Sequence, residues 1–189
     1  MSKVIIADTE TSGVGKEDQV IEFSYAELPE LRIFKQEGVK IPITYSERFR
    51  PSVPIQTAAL KVHGIKYTDL LKCRPSHEIE FPKDVTYMLG HNIRFDHRML
   101  GKPDVKLICT MDLSKKLSSF LDLSFPNHKL DSLVETVSGG QEKIVEKFHS
   151  AAGDIQKNIF VLRKFLEKLP NITTWQELYQ LQESLKGKK

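Results

Sequence analysis

A chain of 189 residues, 40% hydrophobic and 28% charged, is long enough to bury one core and too apolar to remain an extended disordered chain. Its 28 Lys and Arg against 25 Asp and Glu leave a net charge of +3, an excess too small to establish a nucleic-acid partner by counting. The two cysteines, Cys73 and Cys109, form no CxxC pair, no stretch approaches ~18 consecutive apolar residues, and no export signal stands at the start. A disulfide framework and a membrane span are therefore excluded, and a cytoplasmic protein is expected.

In chain order, Val4 to Ala7 is a short β-branched run that reads as a buried, central strand opening onto polar residues. Val20 to Leu28 and Lys40 to Phe49 read as two more strands, and the three suit a meander. The stretch between them, with Pro29 and Gly38, suits a connection or ragged hairpin. Pro54 to Leu71 reads as short helical pieces broken at His63 and Gly64, with Thr68 expected to cap the second.

Val85 to Leu89 predicts a strand, Ile93 to Leu100 a helix, Val105 to Cys109 a strand and Thr110 to Leu121 a helix. This alternation favours parallel pairing. Ile155, Ile159, Leu162, Leu166 and Leu169 fall on one face of a long helix ended by Pro170. Thr174 is placed to cap a last helix through Leu185.

Three clusters carry chemistry. Asp8 and Glu10 stand two apart behind the first apolar run, so strand alternation aims both carboxylates to one side. With 25 acids in 189 residues about three such pairs arise by chance, so the setting at a strand end gives this one its weight. Asn92 and Asp96, four apart in Gly90-His91-Asn92-Ile93-Arg94-Phe95-Asp96, can share one face of a helix start, where Asn92 also suits a cap. His149 precedes Asp154 by five residues at the start of the long helix, so for both to face one site His149 must lie on the preceding loop or first turn.

Four carboxylates gathered at one place repel one another unless cations lie between them. Oxygen ligands suit Mg²⁺ or Mn²⁺, and two such ions about 3.5 to 4 Å apart are a known arrangement for phosphodiester cleavage. His149 can then take the proton from the attacking water.

In order, Asp8-Thr9-Glu10-Thr11, His91-Asn92-x-x-Phe95-Asp96 and His149 to Asp154 resemble the three motifs of the DEDDh, or DnaQ-like, 3'→5' exonucleases. The resemblance runs from about Val4 to Leu166. It implies an α/β, ribonuclease H-like three-layer fold, with a mixed, roughly five-stranded sheet flanked by helices. It implies Asp8, Glu10 and Asp154 as metal ligands, Asp96 holding the second metal partly through water, and His149 as general base. Two Mg²⁺ or Mn²⁺ ions per site follow.

Thr11 and Gly13 look like the loop that contacts the terminal nucleotide, with Val14 as the apolar wedge beneath its base. His63 looks like the substrate-side His and Asn92 like the Asn that contacts the backbone. Against these stand plainer readings: a structural turn at Gly13 and Gly64, a core role for Val14 and a cap for Asn92.

The implied partner is nucleic acid with a free 3' end, with a polymerase or repair complex as a further partner and no membrane. Ile108-Cys109-Thr110 looks like the exonuclease X branch more than the ribonuclease T group, which favours DNA and makes Cys109 structural. An exoribonuclease, or an inactive module of the same fold, are the alternatives. Residues 1 to 170 are expected to form the exonuclease domain, with 171 to 189 a C-terminal helix and tail packed on it. Gly15 to Gln19 and Pro29 to Lys40 depart from the family pattern.

Overall fold

The computed structural model describes residues 3–118, 124–140 and 149–184. Among them a six-stranded mixed sheet has the order β4-β3-β2-β1-β5-β6. Strands β1 (Lys3–Thr11), β2 (Val20–Glu27) and β3 (Tyr45–Arg50) form the expected antiparallel meander. Strands β5 (Val85–Gly90) and β6 (Lys106–Cys109) add in parallel on the other side of β1, which is therefore central. The sixth strand, β4 (Arg74–Pro75), is a two-residue parallel edge beside β3, too short to leave a periodicity in the sequence.

The alternation of β1 builds both hydrophobic layers. Val4 and Ile6 pack into one core with helices α4 (Thr110–Leu117), α5 (Leu130–Val137), α6 (Ala151–Glu167) and α7 (Trp175–Ser184). Ile5 and Ala7 pack into the other, with Phe23, Phe49, Met88 and Ile93. The sheet is thus flanked on both faces. No helix among the described residues is long and apolar enough to cross a membrane.

Several boundaries move. The first strand continues past Ala7 through Thr11, so Asp8 and Glu10 lie within the pleat and continue the row of Val4 and Ile6 toward α6. The third strand starts at Tyr45, not Lys40, and the Pro29–Lys40 excursion holds the one-turn helix α1 (Leu31–Phe34), anchored by buried Leu31 and Phe34. Helix α5 has no counterpart in the sequence reading. Thr68 is not a cap: the turn of 3₁₀ helix begins at Tyr67, with Lys66 before it donating its N–H to Asp69 Oδ2 and accepting the Asp69 N–H at its carbonyl. Thr174 does cap α7, its Oγ1 accepting the Glu177 N–H while Glu177 Oε2 accepts the Thr173 and Thr174 N–H groups.

Helix α2 (Thr57–His63) ends at Gly64, whose φ of 70° closes the helix in the left-handed region that a side chain would disfavour. The long stripe forms α6, whose first turn is capped by Ser150 Oγ accepting the Gly153 N–H. Leu169 lies just beyond its end and is still buried. Helix α7 lies against β6: Gln182 accepts the Cys109 N–H and donates to the Leu107 carbonyl. The expected helix positions 119 to 121 and 185 fall outside the described residues.

Candidate metal centre

Asp8 and Glu10 reach the α6 side of the sheet from β1, and Asp154 meets them from the first turn of α6. Each offers a carboxylate oxygen, and the three atoms lie within 4.8 Å of one another. Glu10 and Asp154 are buried and Asp8 partly so.

Burial, then its negative neighbours, pushes the Glu10 carboxyl up to about 8. Burial also drives Asp8 well above the usual carboxylate range, with Asp96, Glu10, Asp154 and Glu22 adding in that order. Asp96, on α3 (Arg94–Met99), is pushed up to about 7 by burial, opposed by the hydrogen bonds it accepts from Thr9. Its Oδ1 accepts both the Thr9 N–H at 3.0 Å and the Thr9 hydroxyl at 2.7 Å. Asp96 therefore stands beside the three-carboxylate group rather than in it, coupled to Asp8 by charge.

A site of three or four converging carboxylates that repel one another fits hard divalent cations, which supply the missing positive charge and accept an all-oxygen ligand set. His149 lies on the loop just before the N-cap of α6, as the five-residue spacing requires, and its backbone N–H is held by the Val62 carbonyl. Its Nδ1 is 2.7 Å from Asp154 Oδ2 and its Nε2 is 3.8 Å from Asp131 Oδ2.

Asp18 knits together the loop after β1. Asp18 Oδ1 accepts the Ser12 hydroxyl, while Oδ2 accepts the Gly15 N–H and the Gln56 side-chain amide. Gly13 sits so close beneath this network that a Cβ would come within 2.6 Å of Asp18 Oδ1. Thr11 donates its hydroxyl to the Gly13 carbonyl. Arg98 donates to the Val14 and Gly15 carbonyls, and Val14 itself is 72% exposed, which excludes a core role for it.

His63 is buried beneath the same loop. Its Nδ1 accepts the Ile65 N–H, so its Nε2 carries the proton toward the Thr11 carbonyl at 3.2 Å. Both nitrogens thus have internal partners, and burial keeps the ring's proton affinity below the usual value. Asn92 is exposed, adopts φ of 59°, and makes no side-chain cap bond.

Four residues at the site stand outside the motifs that the sequence offers. Glu22 lies directly opposite Glu10 on β2, accepts the Ala151 N–H and pairs with Arg48. Asp131 and Lys157 form an ion pair beside Asp154. Asp18 organises the loop. Each acts through a partner distant in sequence or looks like an ordinary surface charge; only Glu22, behind the apolar Val20-Ile21, stood where burial could be suspected.

Sheet order and the helices on both faces define an α/β domain of ribonuclease H-like fold. No protein-family model and no curated protein matches the chain. Solved structures do. Exonuclease X in complex with 5'-overhanging duplex DNA is 20% identical with a TM-score of 0.63, over 95% of this chain and 99% of that one. E. coli exonuclease I in complex with a dA16 oligonucleotide is 16% identical with a TM-score of 0.69, over 96% of this chain and 43% of that one. The Neurospora crassa Pan2 catalytic unit, of protease and nuclease domain, is 19% identical with a TM-score of 0.60, over 99% and 30%. The chain thus spans nearly all of exonuclease X and less than half of the other two, and at these identities the likeness is one of fold.

Proposed function

We propose that this protein is a divalent-metal-dependent 3'→5' exonuclease that hydrolyses DNA from its 3' end and releases 5'-mononucleotides. The observation that carries the reading is the convergence of Asp8, Glu10 and Asp154 oxygens within 4.8 Å of one another, held by folding in spite of their mutual repulsion.

Asp8, Glu10 and Asp154 would hold Mg²⁺ or Mn²⁺, with Asp96 helping to hold a second ion from the α3 side. Bound there, the cations would supply charge that stabilises the developing negative oxygens of an in-line displacement. Asp154 fixes the ring of His149 through Nδ1, so the neutral tautomer with Nδ1–H keeps its lone pair at Nε2. That nitrogen takes the proton of the attacking water. Thr11, Gly13 and Val14 form the loop against the terminal nucleotide, Val14 presenting its apolar side chain to the base, and Asn92 contacts the sugar-phosphate backbone from the start of α3. His63 acts through Thr11, whose carbonyl it holds.

DNA as substrate is supported by the complexes named for exonuclease X and exonuclease I. The test is a time course with 5'-labelled single-stranded DNA and RNA of one sequence, in Mg²⁺ or Mn²⁺, with Asp8→Ala and His149→Ala alongside. A one-nucleotide ladder on DNA that both substitutions abolish is the expected result. A wild type inert on both polymers ends the catalytic reading, and a ladder on RNA alone transfers it to exoribonuclease.

A further inference from the structure

We infer that Lys157 is a built-in counter-cation of the metal centre, whose ammonium group occupies Asp154 and must be displaced from it when a divalent ion binds. The inference rests on the metal reading above and adds a competitor for the same ligand.

Lys157 lies one turn along α6 from Asp154, so the two side chains share a helix face. Its Nζ is 2.9 Å from Asp154 Oδ1 and 3.2 Å from Asp131 Oδ1 on α5, and its side chain is only 11% exposed. Asp154 Oδ2 is 2.7 Å from His149 Nδ1. Both oxygens of this ligand are thereby engaged by groups of the protein itself, one of them by a full positive charge. The same charge reaches Glu10, where it opposes the influence of Asp154, Glu22 and Asp96.

An ion approaching Asp154 Oδ1 meets this ammonium at short range, where two cations in a partly desolvated site repel strongly. Asp131 supplies the place for the ammonium to go. It stands on the far element, already 3.2 Å from Nζ, and a small rotation of the lysine stem keeps that ion pair while freeing Asp154. The device has a second consequence: the lysine stabilises the metal-free fold, because it puts one positive charge among carboxylates that otherwise only repel.

The test titrates full-length protein with Mn²⁺ by calorimetry and records melting in EDTA, for the wild type, Lys157→Met, Lys157→Arg and Lys164→Met. Lys157→Met keeps most of the stem and removes the charge; it is expected to bind Mn²⁺ about tenfold more tightly while melting lower in EDTA. Lys157→Arg keeps the charge and is expected to bind Mn²⁺ as the wild type does. Lys164→Met removes a charge from the same helix at a residue paired with Glu167, and is expected to leave affinity unchanged.

Equal or weaker Mn²⁺ binding by Lys157→Met, with the wild type binding normally, overturns the counter-cation role and leaves the metal centre standing. Tighter binding by Lys164→Met to the same degree also overturns it, since the effect would then belong to net charge. Absence of Mn²⁺ binding by all four proteins removes the metal centre itself.

Discussion

Glu22 stands directly opposite Glu10 across the β1–β2 pair, and its Oε2 accepts the Ala151 N–H at 2.9 Å, so one carboxylate ties β2, the neighbour of the strand that carries Glu10, to the helix that carries Asp154. The same side chain is 8% exposed and its other oxygen is 2.8 Å from Arg48 Nε. A helix N-terminus leaves unsatisfied N–H groups, and a buried acid is a strong partner for one of them.

Glu22→Ala leaves the Ala151 N–H buried without its acceptor, at a cost of about 1 to 3 kcal/mol. Glu22→Gln removes the charge and keeps an acceptor. Melting curves are expected to fall in the order wild type, Gln, Ala, and Mn²⁺ affinity is expected to drop further for Ala than for Gln. Equal affinities for the two variants would confine Glu22 to an electrostatic role.

The raised carboxyls fix the sign of the pH dependence. Glu10, at about 8, and Asp96, at about 7, hold protons in the folded protein that the unfolded chain has released above the ordinary carboxylate range. Their contribution to stability is therefore full below that range and is lost as pH rises through 7 to 8. In EDTA the protein is expected to melt higher at pH 5.5 than at pH 8. Metal binding needs the deprotonated forms, so Mn²⁺ affinity is expected to rise over the same interval, with protons released on binding in calorimetry run in two buffers.

Removing one of the repelling acids separates stability from function. Asp8→Asn takes away a charge that burial and four acidic neighbours all oppose. In EDTA at pH 8 this variant is expected to melt several degrees above the wild type, at about 2 to 4 °C per kcal/mol for a chain of this size. Its Mn²⁺-induced rise in melting temperature should vanish. A variant that melts lower in EDTA would show that Asp8 has a structural partner.

Val14 is exposed on a loop whose backbone is held by Arg98 and Asp18, so its side chain is free of packing duties. Val14→Ser is expected to leave the melting temperature within about a degree. KM for a DNA end should rise by about tenfold, the loss of one buried aliphatic side chain. A change in kcat with KM unaltered would place Val14 outside the ground-state contact.

The central strand, the meander, the parallel pair and the long amphipathic helix were legible because each buries a face whose period is written locally, as in Val4 to Ala7 or Ile155 to Leu166. The acids Asp8, Glu10, Asp96 and Asp154 were legible because they follow or open such elements. Helix α1 is too short for its period to register, and β4 exists only because Arg74 and Pro75 lie beside Phe49 and Arg50. Thr9 anchoring Asp96, Lys157 seated on Asp154 and Asp18 bracing the Val14 loop were not legible as roles. Each depends on a contact made in the fold, not on residue type at a position.

The most direct measurement follows the two ends of one DNA strand at once, using a 5' label and a different 3'-terminal label in Mn²⁺ and in EDTA. Immediate release of the 3' label as a mononucleotide is expected, with stepwise shortening of the strand that keeps the 5' label and no change in EDTA or with Glu10→Gln. Early release of the 5' label, internal fragments, or cleavage that persists in EDTA would contradict the proposed function.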